Sequence, residues 1–196
     1  MAYLTETYVR RRAQGRANRK GMSVRSALKV ESRLDRTRYD IFLSQTIKDE
    51  ELVLGVYAIL TEDLSLTVFC DWIEAPETDR ANVTPENARY IREKMKLSET
   101  LLFLDSESAD QSKWMCWELG WFDAAKGRVG VLPVVLSAST PYRGREFLGL
   151  YPLVSYEEIR GFTVSRPPRT ILETYNRTES MPFSQWRRAA AGTLQP

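Results

Sequence analysis

The sequence predicts an α/β domain built on a mostly parallel sheet. Three observations carry this: short β-rich apolar runs recur along the chain, segments with helical spacing and capping signals separate them, and no run of about 18 apolar residues suggests a membrane span. At 196 residues, 43% of them hydrophobic, the chain is long enough for one substantial core and short for two.

Residues 2–20 lack strand alternation and stop at Gly21, which predicts a helix, and Ser23 is placed to cap a second short helix to about Leu34. The first firm strand is Tyr39-Asp40-Ile41-Phe42-Leu43-Ser44, apolar on both faces as a central parallel strand needs to be. A helix from about Lys48 to Leu60 sets Leu52, Val56, Ile59 and Leu60 near one face, and Leu66 to Cys70 reads as the second strand. A polar loop follows from Asp71. Thr84 and Pro85 then supply an N-cap and a first helical residue for a helix to about Leu97. Thr100 to Leu104 is the third strand, Ser112 to Lys126 the third helix of the alternating series, stopped by Gly127, and Val129 to Leu136 the fourth strand, interrupted by Pro133. A helix near Arg145 to Leu150 and a strand from Leu153 to Tyr156 bring the count to about five strands. Helical crossovers between strands make the sheet parallel. Ser165 to Pro168 reads as an exposed turn and residues 170–190 as a terminal helix. The organisation expected is a basic helical arm (1–38), the main domain (39–160) and a C-terminal extension (161–196).

Composition narrows the chemistry. Eleven basic side chains against three acids precede residue 39, so that segment carries about +8 and the remainder about −6 of a net +2. Such an arm either lies solvated beside the domain or docks on an acidic partner surface. Cys70 and Cys116 have neither the number nor the spacing of a disulfide framework or zinc site, which suits a reducing cytoplasm. Histidine is absent, which removes Ser-His-Asp and Cys-His activation and imidazole metal ligands together. No metal is expected. Neither a GxGxxG fingerprint nor a P-loop occurs, against a dehydrogenase or an NTPase.

Ligands of open parallel sheets sit beyond the carboxyl ends of the strands. The positions to watch are therefore Ser44-Gln45, Asp71-Trp72, Asp105-Ser106 and the start of the helix Ser112-Lys113-Trp114-Met115-Cys116-Trp117-Glu118-Leu119-Gly120-Trp121-Phe122. At 100° per residue, Glu118 falls about 40° from Trp114 and about 60° from Trp121, while Met115, Leu119 and Phe122 form a separate apolar face. A carboxylate among indoles is costly to bury unless it is paired or working. Helix geometry alone leaves both options open, a structural ion pair or solvent contact being the simpler.

The stretch from Tyr39 to Val135 resembles bacterial Toll/interleukin-1 receptor (TIR) domains. The likeness lies in the opening strand Tyr39 to Ser44, in Val68-Phe69-Cys70-Asp71-Trp72, and in the helix beginning Ser112-Lys113-Trp114-Met115-Cys116-Trp117-Glu118-Leu119, together about half of the chain. It implies a flavodoxin-like TIR fold with about five parallel strands. It also implies that Glu118, four residues after Trp114, is the catalytic residue of an NAD+ glycohydrolase, with NAD+ as substrate and no further cofactor. Ser44 and Asp71 are then candidates for the ribose or phosphate region, and Trp114 and Trp72 for holding the nicotinamide ring. Cys116 departs from the family's usual placement of a cysteine beside the tryptophan and inherits no role.

The resemblance further implies self-association through TIR–TIR contacts and a place in bacterial immune defence. Neither a membrane nor a nucleic-acid partner is expected. Two other readings use the same fold: a non-catalytic TIR scaffold binding other TIR domains, and a nucleoside deoxyribosyltransferase-like enzyme with the glutamate as covalent nucleophile. A flavodoxin or response regulator fits least, the latter because Ser44-Gln45 offers no acidic pair after the first strand.

Overall fold

The computed structural model describes residues 2–33, 35–70, 84–109, 112–142, 144, 146–157, 161–167 and 179–194. In chain order its elements are β1 (Leu4–Thr5), α1 (Glu6–Arg19), α2 (Val24–Ser32), β2 (Tyr39–Ser44), a 3-10 turn (Ile47–Asp49), α3 (Glu50–Ala58) running into a π turn (Ile59–Asp63), and β3 (Val68–Cys70). Then come α4 (Pro85–Leu97), β4 (Ser98–Asp105), α5 (Lys113–Lys126), β5 (Val129–Val135), a 3-10 turn (Glu146–Leu150), β6 (Leu153–Glu157), β7 (Gly161–Ser165), β8 (Ser180–Pro182) and α6 (Phe183–Trp186).

The sheet runs β3-β2-β4-β5-β6-β7-β8. Its first five strands are parallel, as expected, and β7 and β8 extend it antiparallel. Side-chain alternation divides the core. Ile41, Leu43, Leu102, Leu104, Leu132 and Val134 face one side, under α1, α2 and α3. Phe42, Leu101, Phe103, Val129 and Val131 face the other, with Ile91 and Met95 of α4 and Met115, Leu119 and Phe122 of α5. The apolar face read on α5 is thus the one laid on the sheet.

The local signals act as expected. Thr84 accepts from the Asn87 amide at 3.2 Å, with Pro85 opening α4. Gly127 ends α5 in a left-handed conformation (φ 56°) that a side chain would strain, its N–H donating to the carbonyls of Phe122 and Asp123. Pro133 has a clear place: β5 pairs with β6 at Val131 and with β1 at Val134 and Val135, so the residue without an N–H sits where one neighbour gives way to the other.

Two expectations are corrected. Residues 2–33 are helical, as read, but they are not an appendage. Leu4 and Thr5 form a strand wedged beside β5, the Tyr156 amide donates to the Ala2 carbonyl, and Val9, Ala13 and Ala17 of α1 are core residues. Gly55 of α3 makes the packing close enough: a Cβ there would lie 2.1 Å from the Val9 carbonyl oxygen. The arm's charge is spent within the chain. Arg10 pairs with Glu6 and Glu51, Arg12 with Glu62 and Asp63, Arg16 with Glu31 and Glu62, Arg19 with Glu62, and Lys20 with Glu31. Burial works against the Glu31 carboxylate, but hydrogen bonds from Lys20 and Arg16 outweigh it and hold its pKa below the ordinary range.

The second correction concerns the C-terminal region. Of the helix expected over residues 170–190, the part up to residue 178 lies outside the described residues, and the rest is β8, the single turn α6 and bends. Local helical spacing there loses to strand addition, because β7 offers Thr163 to Ser165 as an edge for Ser180 to Pro182. Trp186 is buried against the sheet, and Arg187 reaches both Asp40 and Glu99, which ties this segment to the start of β2.

Candidate active site

Ser44 is the last residue of β2 and shares the face of Phe42, the face on which α5 lies. Its side chain is 1% exposed, and its Oγ donates to Glu118 Oε2 at 2.5 Å. Glu118 is 6% exposed and so sits at the carboxyl edge of the sheet rather than in open solvent. The carboxylate is buried on its aromatic helix, with Ser44 as one of its partners. Ser44 offsets part of the desolvation and fixes the rotamer.

The same edge gathers further polar groups. Asp105 ends β4 on the face of Phe103, is 3% exposed, and accepts from the Tyr142 hydroxyl at 2.7 Å. Asp49, entering α3, accepts from Ser106 Oγ at 2.6 Å and from Ser108 Oγ. The segment after β2 is thereby tied to the one after β4, and the one after β4 to that after β5. Asp105 and Ser106 were marked by their place after a strand. Asp49 and Tyr142 carried no signal, since their partners are 57 and 37 residues away.

Trp114 stands one turn before Glu118 and meets Trp117 edge-on, ring centroids 5.3 Å apart. Both indoles line an apolar cavity of about 280 Å³ between α4 and α5, with Ala88, Arg92 and Lys113, and the Arg92 guanidinium lies 5.7 Å from the Trp117 ring. Cys116 is exposed on the outer side of α5. The structure thus joins Ser44 to Glu118 directly, while Trp114, one turn earlier on α5, lines the cavity between α4 and α5. Asp71 and Trp72 lie outside the described residues. Among the described residues no group of three or more Cys, Asp or Glu side chains is arranged to hold a metal ion, and no helix is long and apolar enough to cross a membrane.

A parallel sheet ordered β3-β2-β4-β5-β6, with the Trp114–Glu118 helix against it and the glutamate fastened to the end of β2, is the arrangement that the resemblance to bacterial TIR domains implies. Over 118 residues it is 45% identical to a protein of Bacillus cereus (strain MSX-D12) named probable 3' cyclic ADP-D-ribose synthase ThsB'. That similarity takes in 60% of this chain and 61% of the relative, so the chain spans about three fifths of the relative's length. No protein-family profile matches the chain. Among solved structures, the TIR domain of the Toll-related receptor TRR-2 from Hydra magnipapillata aligns with a TM-score of 0.38 and 17% identity, over 56% of this chain and 78% of that one.

Proposed function

We propose that this protein cleaves the nicotinamide–ribose bond of NAD+, releasing nicotinamide and either ADP-ribose or a cyclic isomer of it, in bacterial immune defence. The observation that carries the reading is Glu118, buried at the sheet's carboxyl edge with its carboxylate fixed by Ser44 at 2.5 Å. The name of the Bacillus cereus relative points to the same chemistry.

The reaction suits a site without histidine. Nicotinamide leaves neutral from a cationic precursor, so no acid has to protonate the leaving group, unlike the oxygen leaving group of ordinary glycosidases. What the step needs is a fixed anion beside the anomeric carbon as positive charge spreads over the ribose ring. Glu118 meets that need, being preorganised rather than gathered from solvent at the moment of reaction. In this scheme the carboxylate takes a hydrogen bond from a ribose hydroxyl, with Ser44 keeping it turned. Trp114 offers an indole for the flat nicotinamide ring, and no cofactor beyond the substrate enters. Self-association through TIR–TIR contacts is part of the proposal, as the means of completing the site.

The test is NAD+ loss and nicotinamide release by the purified full chain at high concentration, with Glu118→Gln and Glu118→Ala beside it. Turnover by the wild type and its loss in both variants supports the reading. A wild type inactive even when clustered leaves a binding scaffold as the function.

A further inference from the structure

A second cleft opens on the same edge of the sheet. It has a volume of about 460 Å³ and is walled by Tyr3, Tyr8 and Tyr156, with Thr5, Ala138 and Glu157 around it. Thr5 ends β1, Glu157 ends β6, and Ala138 follows β5 by three residues. These strands run parallel to β2 and β4, so the cleft lies on the edge that carries Ser44 and Asp105. The two places are joined by contacts: Asp105 accepts from Tyr142, and the Tyr142 ring lies 5.5 Å from that of Tyr3.

From this we propose that the cleft is the subsite for the adenosine half of the dinucleotide, an inference that rests on the NAD-cleaving reading above. The walls fit a neutral aromatic base. Tyr8 and Tyr156 stack at 5.6 Å and share a hydroxyl contact of 3.1 Å, so the pair is a fixed surface with polar tips. A volume of about 460 Å³ falls within the range of small-ligand pockets and accommodates a base with its ribose. Charge around the cleft is mixed: Glu157 lines it, the Arg11 guanidinium lies 5.4 Å over the Tyr8 ring and Arg12 donates to the Tyr8 hydroxyl, so the aromatic walls rather than charge select the base.

Distance assigns the two ends of the substrate. From β2 to β1 the path along the sheet crosses β4 and β5, three interstrand steps of about 4.8 Å, so the separation is at least about 14 Å, Tyr8 and Tyr156 packing on the α1 side and Glu118 on the α5 side. An extended dinucleotide bridges such a span. With the scissile bond at Glu118, the base left for the tyrosine cleft is adenine. Held there, the adenosine ribose stays away from the anomeric carbon, and ring closure has to wait until the base swings out.

The experiment is a titration of the full-length protein, ¹³C-labelled on tyrosine, with adenosine and separately with nicotinamide riboside, followed by NMR. Adenosine is expected to shift the Tyr3, Tyr8 and Tyr156 ring signals, and nicotinamide riboside to leave them in place. Tyr3→Ala is expected to weaken adenosine binding about tenfold, in keeping with base–aromatic stacking, and Tyr3→Phe to retain it. Adenosine that shifts none of the three rings overturns the proposal, as does an equal response to both ligands. Should Tyr3→Ala unseat β1, the wild-type shifts and Tyr3→Phe decide alone. Binding is read without turnover, so a protein that binds adenosine here yet never cleaves NAD+ refutes the enzymatic reading and not the cleft.

Discussion

On one face of the sheet, α3 lies beneath α1 and α2, close-packed at Gly55 and bordered by carboxylates that each meet one or more cations of the N-terminal segment. On the other, α4 and α5 cover an aromatic core, and the edge beside them holds carboxylates by hydroxyls: Glu118 by Ser44, Asp105 by Tyr142, Asp49 by Ser106 and Ser108. The contrast separates two uses of buried charge. Where a carboxylate meets guanidinium and ammonium groups, its field is neutralised and the gain is structural. At the edge the hydroxyls orient the carboxylates they meet, which is what the proposed chemistry asks of Glu118.

The sharpest way to break the contrast is at Glu118. Glu118→Gln retains an acceptor for Ser44 and removes the charge, so NAD+ turnover should fall by about 10²–10³ or more while the melting temperature stays near wild type. A variant active within tenfold of wild type would dismiss Glu118 from the chemistry. On the opposite face the order reverses. Gly55→Ala drives a methyl into the Val9 carbonyl and should cost about 3 kcal/mol, roughly 6–12 °C in melting temperature for a chain of this size. An unchanged melt would mean that α1 does not lie on α3 as described.

Glu31→Gln removes the charge shared by Arg16 and Lys20 and should cost about 2 kcal/mol. Because the Glu31 pKa is lowered on folding, the stabilisation is present above the unfolded value of about 4.3 and is lost as pH falls below it. Acid titration of the melting temperature should therefore show a steeper decline for wild type than for Glu31→Gln below about pH 4.3, and parallel curves would contradict the pairing. Arg19→Ala is the smallest of the series: its side chain is 60% exposed and Glu62 keeps Arg12 and Arg16, so chemical denaturation should change by no more than about 0.5 kcal/mol.

What was legible in the sequence follows the range of the interactions involved. The runs at 39–44 and 129–135, the Thr84-Pro85 helix start and the Gly127 stop are set within a few residues, and all lie where their local chemistry places them. Glu118 was legible because a period of 3.6 turned it away from Met115, Leu119 and Phe122, and Ser44 because the end of a parallel strand is where such sheets hold ligands. Their bond across 74 positions was beyond local reading. So was β1, because two residues are too few to show alternation and Leu4 finds Val134 only in three dimensions. The positive charge of residues 1–38 was read correctly as a feature, but its destination lay in the acids of residues 51, 62 and 63, which the tally of charge by segment had assigned to another unit.

The wedge of β1 beside β5 also sets an order of assembly. Leu4 and Thr5 stand about 130 residues ahead of the strand they pair with, so β1 can seat only once β5 has been made. Until Val134 and Val135 arrive, the apolar stripe of α1 has only α2 and α3 to rest on. Closing so long a loop is slow. The tyrosine cleft, largely made by residues 2–8, therefore cannot exist until β1 is seated beside β5.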